Sequence, residues 1–128
     1  MKFNITTRPE KFFRQLIELL RPLSPFTDLT EREAQVFSEL LYWNNELKDT
    51  FPDHKDRMSV LFSYETRQKI IDKVGISKEQ SYNLYMSLRR KGLLNKEEID
   101  SKYELTPDHM MEVTFKFEWI GEEETKPS

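Results

Sequence analysis

Between Arg67 and Leu94 the chain reads RQKIIDKVGISKEQSYNLYMSLRRKGLL. Along it, the types and spacing of several residues suit nucleic-acid chemistry. Gln80 and Asn83 carry amides that can bond bidentately to adenine. Lys78, Arg89, Arg90, Lys91 and Lys96 can pair with phosphate or guanine. Tyr82 and Met86 can reach thymine methyls or sugars. Ser77 places a hydroxyl and free backbone amides at a helix start, where a phosphate can bind. Charge follows the same pattern. Residues 67–96 hold eight basic side chains against Asp72 and Glu79, a local net of +6 in a chain whose total is -3. Residues 1–66 carry a net -2 and residues 97–128 a net -7. The mild overall acidity argues against an indiscriminate polyanion binder and leaves room for one basic face.

Such a face needs a scaffold, and the same stretch supplies one. It reads as two short helices joined by a tight turn at Gly75-Ile76-Ser77, the sequence form of a helix-turn-helix. Ile70, Ile71 and Val74 line the first helix, and Ile76 plugs the turn. Ser81 is the small residue where the helices cross, with Leu84 and Leu88 following at helical spacing. Ser77 with Gln80 three residues on is a capping box, and Gly92 suits the left-handed residue after a helix end. Arg89-Arg90-Lys91 also has a plainer reading, as a solvated helix end where cations favour the dipole.

The rest of the chain predicts the supporting elements. Lys2–Thr6 alternates at Phe3 and Ile5 and reads as a strand that pairs elsewhere. Thr7 with Glu10 predicts a capping box opening a helix to about Arg21, before Pro22. Its stripe of Phe12, Phe13, Leu16, Ile17, Leu19 and Leu20 is core or a dimerisation surface; its polar face is mixed, against a membrane-surface role. Thr30 with Glu33 opens a long helix to about Lys48. Residues 49–56 read as a loop, and Met58–Phe62 as a small strand. Further helices are expected near 64–74 and 78–91. Leu93–Asn95 and Tyr103–Leu105 make a hairpin, and Met111–Ile120, with strictly alternating apolar and polar residues, a half-buried strand paired with it. The fold class is therefore mainly α with a small β wing. The expected division is an N-terminal packing or oligomerisation segment over 1–28, a winged helix domain over 29–120, and a disordered acidic tail over 121–128.

The stretch resembles the winged helix-turn-helix of bacterial, plasmid and phage regulators, through the "GIS" turn, the second helix and "LRRKGLL". The segment Lys102–Pro107 leading into a hydrophobic strand is similar to the wing of plasmid and phage replication initiators of the RepL type. The first similarity covers about 40 residues; the second rests on the loose pattern Y-x-L-x-P. The resemblance implies a DNA-binding transcription regulator or replication-initiator-like protein, phage- or plasmid-borne, with double-stranded DNA as partner and a homodimer or protein contact through the N-terminal helix. One departure stands out. The wing tip carries Glu97, Glu98, Asp100 and Glu104 against Lys96 and Lys102, which the DNA backbone would repel. This favours a competing reading: a structural or adaptor protein that uses the fold for protein contacts in a multisubunit or viral assembly.

Other classes find no support in the residues. There are no cysteines, and the three glycines form no phosphate-cradling cluster. His54 and His109 sit far apart in polar segments, so no metal or cofactor is expected. Paired acids such as Glu97-Glu98 and Glu122-Glu124 lack a nucleophile nearby, which argues against an enzyme. No run approaches the ~18 apolar residues of a membrane helix, and the N-terminus lacks the apolar core of a secretory signal. The expected location is cytoplasmic, in a host cell, or the virion if the protein is viral.

Overall fold

A computed structural model describes residues 1–121. The expected acidic tail lies outside these residues apart from Gly121. Five α-helices follow in order: α1 (Pro9–Leu20), α2 (Glu31–Leu47), α3 (His54–Leu61), α4 (Tyr64–Val74) and α5 (Lys78–Arg90), with one turn of 3-10 helix at Phe26–Asp28 between α1 and α2. The fold is mainly helical.

α2 is the axis of the fold, and α1, α3, α4 and α5 all pack on it. Its start is fixed locally. Thr30 Oγ1 accepts from the Glu33 amide at 3.2 Å, and Glu33 Oε1 accepts from the Thr30 amide at 2.7 Å, the reciprocal box expected of this sequence. Ala34, Val36, Phe37, Leu40 and Leu41 are fully buried along it. Such burial around most of a helix is what a central position requires.

α1 lays Phe13, Leu16 and Ile17 against this axis. The capping box expected at Thr7 does not form. Pro9 takes the first helical position, where its missing N–H costs nothing, and this makes the extended residue Arg8 the cap. Of the apolar stripe on α1, only Leu19 stays exposed. The stripe is thus consumed within one chain, leaving little on α1 for the expected dimer or partner contact. Phe13, Ile17 and Phe26 share one core cluster with Leu88 and Leu93, so residue 28 marks no break in packing.

The expected loop holds over residues 49–53, but α3 takes its last three residues and replaces the strand expected over Met58–Phe62. Asp53 caps it by accepting from the Asp56 amide at 3.0 Å. Arg57, Met58 and Leu61 then fall on one helical face and are buried. The β-prone MSVLF run finds no strand to pair with, and helical packing on α2 decides its conformation.

The β wing is a further correction. Among the described residues there is no strand, and the winged form of the fold is not seen. Leu94 and Ile99 instead make a single antiparallel bridge. Asn95 N donates to Glu98 O at 2.9 Å and Asp100 N to Leu93 O at 3.0 Å, with Lys96 at a left-handed φ of 58°. This tight turn buries Leu93, Leu94 and Ile99 against the core. Tyr103–Leu105 does not pair with it, Lys2–Thr6 forms no strand, and Met111–Ile120 has no ladder partner among the described residues.

A polar latch holds the chain after the turn. Arg57 Nε donates to Asn44 Oδ1 at 2.9 Å, while Arg57 and Asn44 both donate to Glu104 Oε1 at 3.2 Å. Arg57 also donates to the carbonyls of Phe51 at 3.0 Å and Pro52 at 3.2 Å, and His54 Nε2 lies 3.1 Å from Glu104 Oε2. Below it, Lys48 Nζ reaches the carbonyls of Thr106 and Pro107 and the carboxylate of Asp108. Buried polar groups satisfied in this way can fix an irregular segment without a sheet.

Candidate nucleic-acid interface

The α4–turn–α5 unit forms through local rules. Ser63 caps α4, whose end places Gly75 at φ 78°. The amides of Gly75 and Ile76 both return to Ile71 O, at 2.9 and 3.2 Å, closing the left-handed helix end that glycine favours. Ser77 then opens α5. Its Oγ accepts from Gln80 N at 3.1 Å, and Gln80 Oε1 accepts from Ser77 N at 2.9 Å. Gly92, at φ 83°, ends the unit, with Leu93 N returning to Leu88 O at 3.0 Å.

Ser81, Tyr85 and Leu88 form the buried side of α5. The small Ser81 is only 4% exposed, as a crossing residue should be. The opposite side presents Glu79, Tyr82, Asn83, Met86 and Arg90 to solvent. Tyr82 is 62% exposed. A large apolar ring held outward on a helix is a ready contact for sugar or base.

The expected site residues do not all share one surface. Tyr82, Asn83, Met86 and Arg90 share the outward face. Lys78 flanks it, donating to Tyr64 Oη at 3.4 Å with its ammonium 5.2 Å from the centre of that ring. Ser77 and Gln80 spend hydroxyl and amide oxygen on each other's backbone, so they position the helix start. Arg89 Nε donates to Lys96 O at 2.8 Å and ties the 94–99 turn to the end of α5.

Lys91 does not belong to the outward face. Its Nζ lies 2.6 Å from Glu33 Oε1 and 2.6 Å from the carbonyl of Asp28. Lys91 turns toward α2 because Glu33, only 2% exposed, is a buried carboxylate that needs a cation. Ser87 also donates to Glu33. Burial pushes the Glu33 carboxyl upward, but the donors Lys91, Ser87 and Thr30 outweigh it and bring its pKa down to about 2.

Beside the outward face, a cleft of about 410 Å³ lies between α4 and α5, lined among others by Tyr64, Arg67, Lys78, Tyr82, Arg89 and Glu97. Arg67 contributes what the sequence reading missed. Its guanidinium sits 5.2 Å from the centre of the Tyr85 ring and 3.4 Å from Glu97 Oε1. Part of the acidity expected at the wing tip is therefore neutralised by α4. Burial pushes the Tyr85 phenol up to about 12, against the charges of Arg67 and Arg89. By contrast, Lys78, Arg89, Arg90 and Lys96 make no ion pair with a carboxylate among the described residues.

No family model, curated protein or solved structure matches this chain. Among the described residues, no helix is long and apolar enough to cross a membrane.

Proposed function

We propose that the protein binds double-stranded DNA through α5, acting as a helix-turn-helix regulator or a replication-initiator-like protein of phage or plasmid type. The observation that carries this reading is the outward face of α5. There a polar amide, an aromatic ring, a thioether and a cation stand exposed beside Glu79 on one rigid helix, flanked by cations that pair with no carboxylate among the described residues. In this reading Asn83 and Tyr82 meet base edges, Lys78 and Lys96 flank them, and Arg89 and Arg90 meet phosphates. A tight turn in place of a wing leaves few phosphate contacts, so binding should be weak and shallow in its salt dependence.

The test is fluorescence anisotropy of mixed-sequence duplex DNA titrated with protein at rising salt. Binding at low salt that declines with a slope of a few counterions supports the reading. No binding at low salt overturns it. The adaptor reading is the second one, and a separate observation favours it: large apolar side chains stand exposed between Met110 and Ile120.

A further inference from the structure

Those C-terminal residues combine three features. Apolar side chains occupy every second position, at Met111, Val113, Phe115, Phe117 and Trp119. Phe117 and Trp119 are 92% and 95% exposed, although burying such rings is among the strongest drives in folding. Lys116 Nζ and Glu118 Oε1 pair at 3.3 Å, putting residues two apart on one side, the spacing of a strand. The Lys48 contacts to residues 106–108 anchor the segment at the end of α2, and beyond them its backbone pairs with nothing among the described residues.

We infer that residues 111–117 form an antiparallel two-stranded ribbon with the same residues of a second copy, two-fold symmetric about Thr114. Charge complementarity points to a second copy as the partner. With Thr114 facing its counterpart, Lys116 of each chain lies opposite Glu112 of the other, giving two cross-strand pairs of opposite sign on the polar face. The same register sets Val113 opposite Phe115 and Met111 opposite Phe117 on the other face, aliphatic against aromatic. A slip by one residue would break both patterns, because side chains alternate with period two. Isolated two-stranded ribbons are marginal in water, so the association depends on protein concentration. The ribbon is independent of α5 and of any DNA contact. It would give the copies of an α5-bearing domain the two-fold relation that paired half-sites need.

Charge reversal tests the ribbon through sedimentation equilibrium of the full chain over a concentration series, without DNA. The wild-type protein should show a monomer–dimer equilibrium. Lys116→Glu alone, or Glu112→Lys alone, sets like charges opposite each other twice per dimer and should weaken association by about tenfold or more. The double variant Glu112→Lys/Lys116→Glu should restore it. Helix content by circular dichroism should stay unchanged throughout, since these side chains lie outside the core. A monomer at every concentration overturns the inference, as does a dimer indifferent to the single reversals. Restoration of Lys116→Glu by Glu118→Lys in place of Glu112→Lys would also overturn it, because it requires a different register.

Discussion

Lys91 Nζ, just past the end of α5, lies 2.6 Å from Oε1 of Glu33 in the first turn of α2. Glu33 thus serves three purposes. It closes the capping box of its own helix, accepts from Ser87, and anchors the exit of α5. The contact spans 58 residues of sequence and fixes the candidate reading helix to the core of the fold.

This anchor predicts a pH dependence. The Glu33 carboxyl falls from 4.5 to about 2 on folding, so the unfolded chain binds the proton more readily. Its contribution is complete above about pH 4.5 and is lost as pH falls from there toward 2, on the order of 3 kcal/mol. Urea unfolding between pH 5 and 2 measures this. Glu33→Gln should be less stable at neutral pH and flatter across that window; an equally steep acid loss in the variant would locate the effect elsewhere.

Two neighbouring cations should separate by phenotype. Lys91→Met leaves a buried carboxylate without its cation and should cost about 2–3 kcal/mol, somewhat below a fully enclosed pair because Lys91 keeps partial solvent access. Arg90→Ala should leave stability within about 0.5 kcal/mol, yet lower the salt slope of DNA binding by about one. Thermal unfolding and anisotropy of both variants check the contrast.

Asn83→Ala addresses sequence preference. Where a preferred site exists, loss of a bidentate amide contact should cost about 1–3 kcal/mol there and little on other duplexes. A uniform loss on all sequences would show that Asn83 does not read a base.

The latch at Glu104 gives a prediction of stability without a change in helix content. Glu104→Ala removes an acceptor shared by Arg57 and Asn44, leaving a buried guanidinium undercompensated. A cost of about 2–4 kcal/mol is expected, with faster proteolysis around residues 103–108. Limited digestion followed by mass spectrometry reads the second effect.

What the sequence determined by itself is local. The boxes at Thr30/Glu33 and Ser77/Gln80, the glycines at 75 and 92, and Ser81 at the crossing each depend on residues within one or two turns, so spacing alone identifies them. Asp53 with Asp56 carried a similar signal for α3, masked by the β-branched and aromatic character of the run behind it. Only the tertiary structure decided the rest. Met58–Leu61 became helix because α2 offered a helix-packing surface and no strand edge lay among the described residues. Leu93–Ile99 closed into a tight turn because its three aliphatics bury against the core, and the expected wing lost its inner strand. Lys91 left the candidate interface for Glu33, and Arg57, Asn44 and Glu104 met across 13 and 60 residues of sequence. Desolvation acts between elements brought together by folding. No local pattern records which cation a buried carboxylate will claim.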